Sequence, residues 1–280
     1  MHGIVIQGPG LDPALVQRAA QLSAAQQAEW RGTELARLSG FAAVPPVQAL
    51  RELCEQAQVD CAFLDTPLRL ADFRLAVMDM DSTLITIECI DEIADMQGLK
   101  PQVAAITEAA MRGEIDFRQS LVRRVALLKG LEVSALQRVY DERLRLSPGA
   151  EGLIAGLKAA GVKTLLVSGG FTFFTERLKA RLGLDYTASN LLGVAQDRLT
   201  GTVVGPVIDA DAKAEKLRQT CALLGADQAQ AIAIGDGAND LKMMAAAGVS
   251  VAYHAKPIVR AQARFAISHN GLDALLGLFN

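Results

Sequence analysis

The sequence predicts an α/β fold: a parallel sheet covered by helices on both faces, a helical cap inserted after the sheet's first strand, and a small N-terminal α/β extension. Three observations predict it. Short apolar runs recur at Leu75–Met78, Thr164–Val167, Ala231–Ile234 and Val249–Ala252, with helical patterns between most of them. Such runs are too continuous for strands with one wet face, and they fit parallel strands buried on both sides. Between about residues 91 and 146 the strand signal disappears, and Gly98, Gly113 and Gly130 punctuate helical stretches instead.

Along the chain, residues 1–72 form the extension. It opens on the apolar run Ile4–Ile6, passes through Ala- and Gln-rich helical sequence, and closes on Asp60–Leu64 before a linker at Thr66–Asp72. It carries no motif with a mechanism, so packing or dimerisation is its expected role, and a homodimer stays open. The core is expected over residues 73–280, with its cap at about 91–146. Residues 190–204 alternate weakly around Asp197-Arg198 and predict a β-hairpin projecting from the sheet.

Composition excludes several classes of function. Hydrophobic residues make up 51% of the 280 and charged residues 21%, enough for a sizeable core and against long disorder. The formal charge of −3 comes from well-mixed basic and acidic residues, so no electropositive stripe offers itself to nucleic acid or a membrane surface. The start of the chain lacks a basic, then apolar, then small-residue pattern, and no apolar run reaches ~18 residues, so a cytoplasmic protein is expected. Cys54, Cys61, Cys89 and Cys221 lack the close pairs of a zinc site and read as reduced thiols. Met243-Met244 read as core, and His254 and His269 have no metal-ligand spacing.

Ligands of such sheets sit at the carboxyl ends of the strands, which directs attention to Asp79, Ser168 and Asp236. Asp79-Met80-Asp81-Ser82-Thr83 brings two carboxylates to one strand exit. One carboxylate can attack phosphorus while the other delivers a proton to the leaving oxygen. Ser168-Gly169-Gly170 joins a hydroxyl to exposed backbone N–H groups that suit phosphoryl oxygens. Lys213 opens a further helix and can neutralise phosphate charge. Gly235-Asp236-Gly237-Ala238-Asn239-Asp240 adds hard oxygen ligands at the same edge. Within it Asp236 fits a metal ligand, whereas Asp240 fits an orienting role toward Lys213 or a metal-bound water. Each motif alone is common turn chemistry. Their order on successive strand ends is not.

The set Asp79/Asp81, Ser168, Lys213 and Asp236/Asp240 resembles the phosphatase branch of the haloacid dehalogenase superfamily, whose core is Rossmann-like. More narrowly, DMDST, IECIDEIA, MRGEIDFRQSLVRRVALLKG, VSGGFTFF, GDGANDLKM and AYHAKP are similar to the bacterial phosphoserine phosphatases. The resemblance implies Mg²⁺ held by Asp79, Asp236 and the main-chain oxygen of Asp81, with Asp79 as nucleophile and Asp81 as acid and base. It also implies O-phosphoserine as substrate, in the last step of the phosphorylated route to serine. Phosphoserine carries a carboxylate and an ammonium besides its phosphate. If Phe117–Lys129 is helical, about 100° per residue sets Arg124 inside the stripe of Phe117, Leu121, Val125 and Leu128, where a guanidinium suits a carboxylate. Glu88 resembles the family's receptor for the amino group, and Asn239 a further substrate contact. Two alternatives remain: a phosphatase for another small phosphomonoester, and a non-enzymatic phosphoacceptor domain, against which Asp81 weighs.

Overall fold

The computed structural model describes residues 2–280. The N-terminal unit runs β1 (Gly3–Gln7), α1 (Pro13–Ser23), β2 (Ala25–Trp30), β3 (Leu35–Phe41), α2 (Val47–Gln56) and β4 (Asp60–Leu64). Its antiparallel sheet has the order β2-β3-β1-β4, the topology of a ferredoxin-like unit. Ile4 and Ile6 point into a core built with Leu15, Val16, Leu50 and Leu53 of the two helices. Val5 points the other way, into the main core of the chain. Both faces of β1 are therefore buried, which is why its run is apolar at successive positions.

Ala25–Trp30 departs from the helical expectation for the Ala- and Gln-rich stretch. The helix stops at Ala24, whose backbone is left-handed (φ 51°), and the chain turns into an edge strand that pairs only with β3. Five of its six residues are exposed, so no apolar period marks it; the hydrogen bonds from β3 make it a strand.

The core sheet follows with β5 (Leu75–Met78). Then come the helices α3 (Cys89–Met96), α4 (Lys100–Met111), α5 (Phe117–Leu127), α6 (Ser134–Arg138) and α7 (Ala150–Ala159). The remaining elements are β6 (Lys163–Phe171), α8 (Thr172–Leu182), β7 (Tyr186–Ala195), β8 (Arg198–Val204), α9 (Ala210–Leu223), β9 (Ala231–Gly235), α10 (Leu241–Ala246), β10 (Val249–Tyr253), α11 (Pro257–Gln262) and β11 (Phe265–Ile267). The strand order is β11-β10-β9-β5-β6-β7-β8, parallel except at β8. Leu153, Leu157, Phe174 and Leu178 from α7 and α8 cover one face with Ala76 and Met78, while Leu217, Met243 and Met244 from α9 and α10 cover the other with Leu75 and Val77. The hairpin β7–β8 turns at Gln196 and Asp197, both left-handed (φ 51° and 57°). β7 pairs with β6 only as far as Asn190, and the hairpin pairing of Leu191–Ala195 with Arg198–Val204 extends beyond that edge, as expected.

Helices α3 to α6 lie between β5 and β6. The chain enters and leaves this insertion side by side, with the Thr86 N–H donating to the Arg145 carbonyl (3.0 Å) and the Ser147 N–H to that of Leu84 (3.0 Å).

Asp60 ties the N-terminal unit to the core. It is buried, and its carboxylate accepts the backbone N–H of Ser268 (2.7 Å), that of His269 (3.2 Å) and the Asn270 side-chain amide (2.6 Å). Bonds to a charged acceptor are worth roughly 1.5–3 kcal/mol each, and cutting them strands the donors. Asp60→Ala is expected to lower stability by roughly 3 kcal/mol, read as a fall in the urea midpoint.

Candidate active site

The backbone at the end of β5 sets the arrangement. Asp79 is buried; one carboxylate oxygen accepts the Met80 N–H (2.7 Å), and the other meets the Lys213 ammonium (2.8 Å) and the Asn239 amide (3.4 Å). After Asp81 the chain takes a left-handed residue at Ser82 (φ 55°), uncommon for a residue with a side chain. That turn sends the Ser82 hydroxyl to Glu88 (2.7 Å), while Thr83 donates to Asp236 (2.9 Å). The acids of the two strand ends are thus linked through the intervening turn.

Ser168 ends the buried part of β6, and its hydroxyl accepts the Gly170 N–H (2.8 Å). A Cβ on Gly170 would lie 2.8 Å from the Met80 side chain and 2.9 Å from that of Asp81, so a larger residue would have to push the Met80 and Asp81 side chains aside. Lys213, in the first turn of α9, is almost wholly buried between Asp79 and Asp240, at 2.8 and 2.7 Å. The second Asp240 oxygen accepts the Gly237 N–H (3.1 Å). Of the two roles open to Asp240, orienting Lys213 is the one its contacts match.

Above these residues lies a cavity of about 550 Å³. Asp79, Asp81, Asp236 and Asn239 line its floor with Ser168, Gly169 and Gly170; Glu88 and Arg124 line it from the insertion, and Lys213 and Asp240 sit behind the floor. Arg124 projects from α5 beside buried Leu121 and Val125, whereas Arg123 is exposed. The Arg124 Nε is buried without a hydrogen-bond partner, and no carboxylate among the described residues pairs with the guanidinium. Asp91 and Lys256 also line the cavity and were not singled out from sequence. Asp91 stands three residues after Glu88, one helical turn on, and Lys256 just beyond the end of β10. Helical spacing and the strand-end rule could have found both.

Acids outnumber bases here, and the acids titrate accordingly. Burial pushes Asp79 well up, reinforced by Asp240 against the pull of Lys213. Burial and the nearby Glu88 raise Asp81 to about 7. Burial also raises Glu88 and Asp236, opposed by the Ser82 and Thr83 hydroxyls respectively. Burial pulls Lys213 down, but Asp79 and Asp240 outweigh it and raise its pKa. Arg124 is lowered by burial, against Asp91 and Glu88.

Carboxylate oxygens of Asp79, Asp236 and Asp240 come within 4.8 Å of one another. Asp79 and Asp236 line the cavity whereas Asp240 is wholly buried behind it with its oxygens on Lys213 and Gly237, so Asp79 and Asp236 are the pair that face a cation. Two hard oxygens with too little positive charge around them fit a small divalent ion. In the metal-free protein the four raised acids hold protons that the unfolded chain would release from about pH 4 upward. The unfolded state then binds fewer protons, so their contribution to stability falls as pH rises toward the Asp81 value of about 7. A bound cation favours the ionised forms. The rise in Tm on adding Mg²⁺ after chelation is therefore expected to grow from about pH 5 to about pH 8; an equal rise throughout would contradict this.

Comparison with known proteins agrees with this chemistry. Residues 73–248 match the haloacid dehalogenase-like hydrolase family. A phosphoserine phosphatase from a Polaromonas species is 59% identical over 216 residues, covering 75% of this chain and 92% of that protein. The crystal structure of a probable phosphoserine phosphatase from Vibrio cholerae superposes with a TM-score of 0.86 at 38% identity, covering 99% of this chain and 85% of that one. A haloacid dehalogenase family hydrolase from Salmonella enterica serovar Typhi gives a TM-score of 0.91 at 36% identity, with 99% and 98% covered. No helix among the described residues is long and apolar enough to cross a membrane. By sequence, by fold and by the acids gathered at its strand ends, the chain belongs to the haloacid dehalogenase-like hydrolases and, within them, to the phosphoserine phosphatases.

Proposed function

We propose that the protein hydrolyses O-phosphoserine to serine and phosphate with Mg²⁺ as cofactor, Asp79 as nucleophile and Asp81 as the proton carrier. The observation that carries this reading is the pairing, across one cavity, of two unlike carboxylates on the floor with a half-buried, unpartnered arginine in the wall. Asp79 and Asp236 with the main-chain oxygen of Asp81 would hold the ion. When bound, the ion supplies charge neutralisation for phosphoryl transfer.

The protein's own groups do the rest. Lys213 and Asn239 hold the Asp79 carboxylate in place, and Asp79 attacks phosphorus to form an aspartyl-phosphate. The Ser168 hydroxyl, whose oxygen accepts the Gly170 N–H and whose proton stays available, and the Gly169 N–H receive phosphoryl oxygens. Asp81, with its pKa near 7, is protonated often enough to give its proton to the departing seryl oxygen and basic enough to take one from the water that follows. Glu88 has one oxygen on Ser82 and the other free for the substrate ammonium, while Arg124 faces the substrate carboxylate.

Arg124→Ala tests the substrate assignment. Truncating one partner of a buried charge pair costs roughly 2–5 kcal/mol, so kcat/KM for phosphoserine is expected to fall about 100-fold or more. Hydrolysis of an aryl phosphate, which has no carboxylate, should change less than about tenfold. Equal losses on both substrates would remove phosphoserine as the preferred ligand.

A further inference from the structure

The hairpin β7–β8 touches both ends of the substrate site without lining it. At its base the Asn190 side chain is wholly buried: its amide donates to the Gly169 carbonyl (2.8 Å), and its oxygen accepts the Ile208 N–H (2.8 Å). Gly169 lies in the turn that forms the floor of the cavity, so the base of the hairpin is fixed to that floor.

Further along, the hairpin meets the helical insertion. The Leu199 N–H donates to the Leu131 carbonyl (2.8 Å), the Gly130 N–H to the Leu199 carbonyl (2.8 Å), and the Val133 N–H to the Asp197 carbonyl (2.9 Å). Glu132 thereby stands opposite Arg198 in an antiparallel bridge. The Arg198 guanidinium fastens it, donating to the Gly130 carbonyl (2.8 Å) and the Glu132 carboxylate (2.9 Å).

These bonds hold the end of the helix that carries Arg124. Gly201 of β8 is left-handed (φ 79°), and a Cβ there would lie 2.8 Å from the Lys129 Cβ and 3.3 Å from the Ala126 carbonyl oxygen. Strand β8 therefore lies directly against the last turn of α5, and Ala126 is only two residues past Arg124. Leu192 and Leu199 of the hairpin share a buried cluster with Leu121 and Val125 of α5. At the other end of α5, a Cβ on Gly169 would lie 2.8 Å from the Phe117 ring. The helix is thus seated on the floor at its first residue and on the hairpin at its last turn.

A substrate that carries a phosphate and a carboxylate presents them at a separation its own bonds dictate. Selection between such substrates therefore needs receptors held at a matching separation, and a small misplacement loses binding steeply. We propose that the hairpin is a strut that sets Arg124 over the floor, with Arg198 and Gly201 as positioning residues for recognition of the substrate carboxylate. The proposal rests on the reading of Arg124 as receptor for that carboxylate. Neither Arg198 nor Gly201 lines the cavity, so both act through α5.

Steady-state kinetics on phosphoserine and on an aryl phosphate, which has no carboxylate, test this in the full-length protein. Arg198→Ala is expected to raise KM for phosphoserine about threefold or more. Gly201→Ala, which pushes the end of α5 outward, should raise it about tenfold. In both variants kcat for phosphoserine, and both constants for the aryl phosphate, should stay within about twofold of the parent. Arg198→Lys, which still offers a cation to Gly130 and Glu132, should restore most of the loss. With Arg124→Ala as the starting protein, adding Arg198→Ala should change kcat/KM for phosphoserine by less than about twofold, because the group being positioned is gone. Arg198 is exposed, so its variants decide the matter if Gly201→Ala does not fold. Unchanged KM for phosphoserine in Arg198→Ala would overturn the proposal, as would equal losses on both substrates or a full Arg198→Ala loss in the absence of Arg124. Arg124→Ala alone reports on the substrate assignment: equal losses there overturn that assignment and the strut together, whereas a selective loss there with equal losses in the hairpin variants overturns the strut only.

Discussion

Asp79→Asn is expected to lower kcat for phosphoserine by about 10⁴-fold or more, the scale seen when a covalent nucleophile is removed. The same change should leave the metal-free fold intact or raise its Tm. Asp79 is buried, and its charge is opposed by both burial and Asp240, so the uncharged amide removes an unfavourable ionisation while keeping the shape. Lys213 retains Asp240 as a partner at 2.7 Å. Phosphate release and thermal melting in chelator check both halves. A melt at or above that of the parent separates lost chemistry from lost folding, and residual turnover within about tenfold of the parent would remove Asp79 as nucleophile.

Lys213→Met is expected to damage both stability and turnover. The ammonium is 1% exposed and lies 2.8 Å from Asp79 and 2.7 Å from Asp240. Methionine fills similar space but leaves two buried carboxylates facing each other without a cation. Breaking a buried pair in this way costs about 3–5 kcal/mol, so urea denaturation in chelator should show a loss of that size. Saturating Mg²⁺ should recover part of it by supplying charge to Asp79. The kcat should fall about 10²–10³-fold, because the lysine both positions Asp79 and faces the phosphoryl charge. Full stability in chelator would mean that the carboxylates take up protons at little cost.

How far the sequence reveals this site depends on the range of the interactions that build it. The exits of β5, β6 and β9 were legible because each strand is buried on both faces and its apolar run stops where the chain reaches the cavity. Asp79, Ser168 and Asp236 are the first residues past those stops or close to them. The position of Arg124 on α5 was legible from helical period alone. Strand β2 was not, because an exposed edge strand has no apolar pattern and takes its hydrogen bonds from β3. Asp91 and Lys256 were not singled out within their motifs, because which residues of a motif face the substrate shows only once the cavity forms.

The sequence by itself determined the α/β class, the positions of four buried strands along the chain and the residue types delivered to the sheet's edge. These follow from burial, which each short segment records in its own pattern. Only the tertiary structure decided which charges meet. Sequence left Asp240 between a lysine and a metal-bound water, and the fold sets it 2.7 Å from the Lys213 ammonium across 27 residues of chain. It also decided that Arg124 stays unpaired inside the cavity. The strength of a charge contact depends on distance and on exclusion of water. Both are properties of the packed molecule, and no local segment encodes them.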